Sequence, residues 1–271
     1  MTGIWPGLTQ CTVNLGFDID AQSNWIGRNP AFRDRPVVMT AADYGPKVGV
    51  PRILGLLDEY ELRASFFIPG FTAEQYPDLV KEIIDRGHEV AGHGYMHRRP
   101  AELTLEEEIE DLDRGLEALE KAAGRKITGY RIPGGDASER SMSLLAERGI
   151  VYDSSLMDDD APYMIETPKG NVVQIPFHWL LDDFPYFAYV PAADLRGPGC
   201  SPASVARTWI AEFDGLYQEG RCMMLVMHPQ VTGHPGHLAG LEETIKHMLT
   251  KPNVSITTAA DIAEQWLAKN S

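Results

Sequence analysis

The sequence predicts an α/β protein in which a parallel sheet is covered by helices. Short apolar segments alternate about seven times with longer segments of helical periodicity. The apolar segments run almost without polar interruption, which is typical of strands buried on both faces of a parallel sheet. The chain has no internal repeat, low-complexity tract or dividing linker, so we expect one domain over residues 1–271. An open doubly wound sheet and a closed barrel both fit this pattern.

The predicted strands are short, and several end at residues capable of chemistry. The first, residues 11–17, is rich in β-forming residues and runs into Asp18 and Asp20. A continuous apolar segment, residues 223–227, ends at His228. The other predicted strands are residues 64–68, 89–91, 127–132, 150–153, 172–176 and 254–256.

The predicted helices combine amphipathic periodicity with recognisable ends. Thr104 is followed three residues later by Glu107, which is the capping-box pattern, and Gly124 suits the end of that helix. Ser201 followed by Pro202 predicts the start of another helix. The predicted helices are residues 48–60, 73–86, 104–123, 138–148 with Ser138 as its cap, 201–218, 238–249 and 258–268.

Two segments lack a regular period. Residues 21–46 contain Gly, Pro, Asn and Arg, and we expect a long loop there. Loops of this length without structure are uncommon and are often functional. Residues 177–190 crowd aromatic side chains around a pair of aspartates. Core packing is the simplest interpretation of this second segment, and a sugar-stacking platform or lid is the alternative.

Composition excludes several classes of function. The formal net charge of −15 argues against a nucleic-acid partner, since phosphate binding needs clustered Lys and Arg. No apolar segment approaches the roughly 20 residues that span a membrane. Residues 1–7 lack the basic flank and apolar stretch of a secretory signal, and Cys11, Cys200 and Cys222 are too widely spaced for a disulfide framework. We therefore expect a cytoplasmic protein.

The histidines after the third predicted strand indicate a metal site. His93 and His97 lie four positions apart, so they would be neighbours on one face of a helical turn. Neutral imidazole is the commonest metal ligand in proteins. One of the two aspartates after the first strand would supply a third ligand. Three protein ligands with an open position for water are the pattern of a catalytic zinc site.

The remaining polar residues at strand ends complete a hydrolytic centre. The second aspartate could take a proton from water, and Arg131 could hold that aspartate ionised. His228 suits protonation of a leaving group. Together these groups specify hydrolysis of an acyl bond, with the acid most needed when nitrogen leaves. Taken singly, each residue also fits a solvated turn, a surface ion pair or a buried histidine. The candidate substrate contacts are Pro133, Trp179 and His234.

Four motifs, in this order, resemble those of the polysaccharide deacetylase superfamily, also known as the NodB-homology or carbohydrate esterase 4 group. They are Phe-Asp-Ile-Asp at 17–20, His-Gly-Tyr-Met-His at 93–97, Arg-Ile-Pro-Gly at 131–134 and Val-Met-His at 226–228. The resemblance extends over nearly the whole chain and implies a distorted (β/α)7 barrel.

The resemblance also assigns roles to the strand-end residues. It implies Asp18 as the catalytic base, Arg131 as its tether and His228 as the acid. The implied metal ligands are Asp20, His93 and His97. The expected ion is Zn²⁺, with Co²⁺, Ni²⁺ or Fe²⁺ as alternatives.

Several details are similar to a branch that contains peptidoglycan-deacetylase-like proteins, allantoinase-like proteins and cyclic imide hydrolases. The two aspartates are separated by Ile19, and the sequence Gly-His-Glu-Val-Ala-Gly-His-Gly covers residues 87–94. Where this branch predicts an arginine, the chain has His234, which weakens any anion contact there. Members of the branch can be homotetramers, so we expect a homo-oligomer in which residues 21–46 form an interface or a lid.

Three functions follow as expectations. The first is removal of an acyl group from an N-acetylated sugar or related amide by water activated at the metal. The second is hydrolysis of a small cyclic imide or ureide at the same centre, which a cytoplasmic location and the absence of a basic groove favour. The third is a non-catalytic binding protein on this scaffold, which the complete set of site residues disfavours.

Overall fold

The computed structural model describes residue 5, residues 9–191 and residues 195–270, and within them strands and helices alternate as predicted. The strands are β1 Cys11–Asp18, β2 Ser65–Ile68, β3 Glu89–Gly92, β4 Gly129–Tyr130, β5 Tyr152–Asp153, β6 Tyr163–Thr167, β7 Gly170–Gln174, β8 Tyr189–Val190, β9 Leu195–Arg196, β10 Cys222–Met227 and β11 Val254–Ile256. The α-helices are α1 Ser23–Arg28, α2 Pro36–Tyr44, α3 Val50–Glu59, α4 Gly70–Gln75, α5 Pro77–Asp85, α6 Leu105–Ala123, α7 Ser141–Glu147, α8 Phe184–Phe187, α9 Pro202–Glu219, α10 Pro229–Thr232, α11 Pro235–Leu249 and α12 Ala259–Asn270.

The main sheet has the order β10-β1-β2-β3-β4-β5-β7-β6. All neighbours along this path are parallel except β6 and β7, which form an antiparallel hairpin. Strand β1 pairs with β10 through Thr12–Phe17. Its other side is shared, because β11 pairs with its first half and β2 with its last residues. The predicted parallel sheet is therefore confirmed, and the carboxyl ends of β1, β2, β3, β4 and β10 lie at one edge.

The sheet is buried on both faces, as the apolar strand segments predict. Alternate residues of β10 enter different clusters, with Leu225 in the larger cluster and Val226 in a second one. Every residue of β1 is buried. The larger cluster also receives the apolar faces of α3, α9 and α11. Burial on both faces holds the strand ends in fixed positions, which is what a site built on them requires.

The prediction of a long loop over residues 21–46 is wrong. The segment forms α1, a 3-10 turn over Pro30–Asp34, and α2. These short helices pack on one another through a separate apolar cluster that includes Trp25, Phe32 and Val38. No helical period was visible because each helix is only one to three turns long and takes its stability from tertiary packing.

Other element boundaries also differ from the predictions. The helix predicted over 73–86 is two helices, α4 and α5, because Pro77 disfavours helical geometry at Tyr76. Ser138 does not cap α7, which starts at Ser141, and its hydroxyl instead donates to Glu108. The capping box of α6, with Thr104 accepting from the Glu107 N–H, is confirmed, and Gly124 ends that helix in the left-handed conformation.

Two further observations concern the sequence expectations. None of the helices described has both the length and the apolar character needed to cross a membrane. Of residues 1–7 the structure describes only Trp5. The expectation that this segment carries no secretory signal therefore concerns residues outside the described part of the chain.

Candidate active site

The predicted site residues come together at the carboxyl edge of the sheet. Asp18 is the last residue of β1, and His93 directly follows β3. Arg131 directly follows β4, and His228 directly follows β10. Because these parallel strands are neighbours, the residues that follow them converge, and all four side chains are buried.

Asp20, His93 and His97 form a cluster whose potential ligand atoms lie within 4.8 Å of one another. The Oδ1 atom of Asp20 lies 3.5 Å from Nε2 of His93 and 3.5 Å from Nε2 of His97. Asp20 Oδ1 and His93 Nε2 are buried, and neither has a hydrogen-bond partner among the residues described. A buried polar atom without a hydrogen-bond partner raises the free energy of the folded state, so these two atoms indicate that a ligand binds here. One carboxylate and two imidazoles are the donor set of a catalytic divalent-metal site, and these residues fit such an ion.

The two histidines are held by a loop, and the prediction that they share a helical turn is wrong. Residues 93–99 form no helix, and this segment bends through left-handed conformations at Gly94 and His97, with φ values of 69° and 53°. The carboxylate of Asp111 on α6 accepts hydrogen bonds from the N–H groups of Tyr95 and Met96, at 2.8 and 3.4 Å. Positive φ at a histidine is uncommon and strained, and such strain persists where surrounding contacts hold it.

Burial and neighbouring charges shift the pKa values of this cluster in different directions. Burial by itself raises the pKa of Asp20, but the charges of His97 and the other two histidines lower it well below its usual range. Burial lowers the pKa of His97 to about 4, despite the opposing effect of Asp20. The Nδ1 atom of His93 lies 2.7 Å from the carbonyl oxygen of Arg131, a contact that orients the ring and leaves Nε2 directed at the cluster.

Asp18 is fixed by Arg131. The Nη1 atom of Arg131 donates to Asp18 Oδ1 at 2.6 Å. Arg131 is itself fully buried, donates through Nε to the carbonyl oxygen of Ser154, and lies 3.8 Å from the ring centroid of Phe67. The second carboxylate oxygen, Oδ2, lies 3.7 Å from Nε2 of His93. The guanidinium therefore holds one oxygen of Asp18 and leaves the other facing the cluster of Asp20, His93 and His97.

His228 lies beside Asp20 and is held by Asp183. Its Nε2 atom is 3.8 Å from Asp20 Oδ2, while its Nδ1 atom is 2.7 Å from Asp183 Oδ1. Burial alone would lower the pKa of His228, but the charge and hydrogen bond of Asp183 raise it well above its ordinary value. The second imidazole nitrogen is thus able to carry a proton into the site at neutral pH.

The sequence interpretation missed Asp183, although it noted an aspartate pair within the aromatic segment. A carboxylate in a segment that otherwise looks like core is a usable signal, because a buried charge needs a partner. The sequence does not show that this partner is His228, because the two residues are 45 positions apart along the chain. The neighbouring Asp182 forms a parallel bridge with Val226 of β10, which brings the pair to the edge of the sheet.

These groups open into a cleft of about 170 Å³. Of the predicted substrate contacts, Trp179 lines the cleft and is 55% exposed. Pro133 does not line it, because its buried ring packs beside Gly94, whereas Gly134 forms the cleft wall. His234 does not line it either, because its ring stacks on Tyr44 with centroids 4.1 Å apart.

Comparisons with known proteins show which family this chain is similar to. Residues 32–152 match the family model for polysaccharide deacetylase. A peptidoglycan deacetylase of Helicobacter pylori is 31% identical over 284 aligned positions, which cover 95% of this chain and 97% of that protein. A crystal structure from Mycobacterium smegmatis, assigned to the polysaccharide deacetylases, is 39% identical, has a TM-score of 0.94, and covers 98% of this chain and 93% of its own.

An allantoinase structure also shares the fold, with a TM-score of 0.87, 22% identity, and coverage of 99% of this chain and 94% of its own. The α/β fold expected for the deacetylase group, with its parallel sheet and covering helices, is therefore confirmed. With full-length similarity above 30% identity to a peptidoglycan deacetylase, the chain belongs to the polysaccharide deacetylase family.

Proposed function

We propose that this protein is a divalent-metal-dependent hydrolase that removes the acetyl group from an N-acetylated sugar or a related non-peptide amide. The observation that carries the proposal is the pair of buried, unpartnered atoms Asp20 Oδ1 and His93 Nε2, which lie 3.5 Å apart beside His97. The Asp18 carboxylate, held by an arginine, lies next to His93, and the His228 imidazole, held by a carboxylate, lies next to Asp20.

Asp20, His93 and His97 would hold the metal, with Zn²⁺ as the expected ion. When bound, such an ion polarises a carbonyl group and lowers the pKa of water towards about 7. The burial of the cluster excludes competing solvent, which strengthens each electrostatic interaction within it.

Asp18 acts as the general base. Its Oδ1 atom is committed to Arg131, so Oδ2 is the oxygen that takes a proton from the attacking water. The arginine restricts the rotation of the carboxylate. A base with one fixed and one open oxygen needs little reorganisation when the proton moves.

His228 acts as the general acid. An amine leaves readily only when its nitrogen is protonated, so C–N cleavage requires a donor near that nitrogen. The bond from His228 Nδ1 to Asp183 leaves Nε2 as the donating atom, and the charge of Asp183 stabilises the protonated ring. The base lies beside His93 and the acid beside Asp20 Oδ2, so the two groups approach different members of the cluster.

A substrate panel with the Zn²⁺- or Co²⁺-loaded protein tests this function. It contains N-acetylglucosamine and its oligomers, a succinimide-like imide and allantoin. Acetate release from the acetylated sugars, abolished in Asp18→Asn, is the expected result. Ring opening of the imide or allantoin without acetate release would instead support the second expected function, hydrolysis of a cyclic imide or ureide. Binding without turnover of any compound, with metal present, would contradict both enzymatic functions.

A further inference from the structure

The mouth of the cleft carries two arginines that the proposed reaction does not use. Arg28, the last residue of α1, and Arg99, which follows the histidine loop, both line the cleft and are exposed there. The chain as a whole has a formal net charge of −15, so its general field repels anions. Two cations at the entrance to the site therefore oppose the overall charge of the molecule.

Arg28 is held in place with its terminal nitrogens free for a ligand. Its Nε atom donates to Asn24 Oδ1 at 2.7 Å, and Asn24 donates in turn to Asp20 Oδ2 at 3.3 Å. The guanidinium also lies 5.7 Å from the ring centroid of Trp25. In the described part of the chain, no carboxylate forms an ion pair with Arg28, and the charges of Asp20 and Glu102 act on it only from a longer distance. The side chain is thus oriented through Nε and the ring contact, which leaves Nη1 and Nη2 to meet a substrate.

Arg99 faces the cleft across a glycine. A Cβ atom at Gly134 would lie 3.5 Å from Arg99 Nε, an ordinary van der Waals distance, so the arginine side chain packs beside this part of the cleft wall. Gly134 has a φ of 66°, a conformation that favours glycine. The ion pair of Arg99 with Glu102 is long, at 3.5 Å, and both side chains are exposed. Such a pair holds the guanidinium only weakly.

The other charges of the cleft are committed elsewhere. Asp18 is paired with Arg131, and Asp20 belongs to the proposed metal cluster. Burial raises the pKa of Asp182, despite the opposing charge of His228, and this carboxyl lies 3.7 Å from His228 Nδ1. The cleft mouth therefore retains an excess of positive charge that its own carboxylates do not neutralise.

We propose that Arg28 and Arg99 form an anion-binding wall, so that the substrate carries a carboxylate or phosphate group beside the amide to be cleaved. This inference rests on the proposed function for the position of the amide. Guanidinium groups bind the planar carboxylate and the phosphate with paired hydrogen bonds, and exposure at the mouth lets a substituent reach them without entering the buried centre.

Three sugars that differ in one substituent test the wall. N-acetylglucosamine is neutral, N-acetylmuramic acid adds a carboxylate, and N-acetylglucosamine 6-phosphate adds a phosphate. With the metal-loaded protein, we expect kcat/KM for at least one anionic sugar to exceed that for the neutral sugar by about tenfold, mainly through KM. That preference should fall in Arg28→Gln and Arg99→Gln and recover in part in Arg28→Lys. Arg98→Gln, which removes the same charge next to Arg99 but outside the cleft, should leave the ratio unchanged.

Calorimetric binding of the same three sugars separates this inference from the proposed function. Anion-dependent binding that is lost in Arg28→Gln and Arg99→Gln, without acetate release from any sugar, supports the wall and contradicts the deacetylase function. Acetate release with equal kcat/KM for all three sugars overturns the wall and leaves the deacetylase function standing. Equal effects of Arg98→Gln and Arg99→Gln on the ratio of kcat/KM for anionic and neutral sugars would also overturn the anion-binding wall. They would show that the preference depends on the general charge of the protein. The preferred anionic sugar distinguishes carboxylate from phosphate.

Discussion

The carboxylate of Asp183 binds His228 at two points, accepting from its backbone N–H at 2.9 Å and lying 2.7 Å from its Nδ1 atom. The hydroxyl of Thr232 donates to the same carboxylate. Asp183 is fully buried, so its charge is not screened by solvent. It therefore both orients the imidazole and stabilises its protonated form.

Replacing Asp183 with Asn should reduce kcat by about 100-fold, which is within the range of general-acid effects. The protonated form of His228 is the active one. Without the charge of Asp183 the pKa of His228 falls, so the imidazole loses its proton at a lower pH. The high-pH limb of the rate profile should accordingly move to lower pH. Metal content should stay unchanged, and Thr232→Val should give a smaller effect of the same sign. A shifted metal content or an unmoved high-pH limb would contradict the assigned role.

Asp18 and Asp20 should respond differently to substitution although only one residue separates them. Asp18→Asn should retain bound metal and lose turnover, because the base is removed while the cluster is intact. Asp20→Asn and His93→Ala should lose both, and chelation of the native protein should abolish activity until Zn²⁺ or Co²⁺ is restored. Metal-to-protein ratios measured by elemental analysis check these outcomes. Equal metal loss in Asp18→Asn would reverse the roles of the two aspartates.

Arg131→Met should lower the free energy of unfolding by about 3–5 kcal/mol, because it leaves the Asp18 carboxylate buried without its partner. The double variant Asp18→Asn/Arg131→Met should recover part of this loss, since no buried charge then remains unpaired. Denaturant unfolding measures both. Arg98→Gln removes an exposed ion pair with Glu107 and serves as the matched control, with little expected change. An equal loss in the single and double variants would indicate that packing alone is responsible.

Asp111→Ala should weaken metal binding without removing a ligand. The change takes away the acceptor for the Tyr95 and Met96 N–H groups, which hold the loop between the two histidines. We expect roughly tenfold weaker metal affinity, at the lower end of effects seen for residues that support metal ligands. Asp111→Asn keeps one acceptor oxygen and should lose less. Titration with Co²⁺, monitored by the visible absorption of the bound ion, measures the affinity. Unchanged affinity in both variants would show that the loop between the two histidines keeps its conformation without Asp111.

The sequence by itself predicted the parallel sheet and the strand-end placement of the site. Apolar strands such as residues 223–227 predict burial on both faces, and parallel strands bring their carboxyl ends to one edge. The convergence of Asp18, His93 and His228 follows from that geometry. The capping signals of α6 were equally local and were confirmed by the structure.

Tertiary structure decided what depends on contacts between distant segments. The histidine loop is not helical, because Asp111 and the left-handed conformations at Gly94 and His97 hold it otherwise. Asp183 reaches His228 because its own segment pairs with β10, through the Asp182–Val226 bridge and the bond from the Asp183 N–H to the Val226 carbonyl oxygen. Short helices such as α1 have too little periodicity to be recognised from the sequence and form because the surrounding chain buries their apolar faces. Local sequence thus determined which residues end the strands, while the packing of distant segments determined which side chains hold them in place.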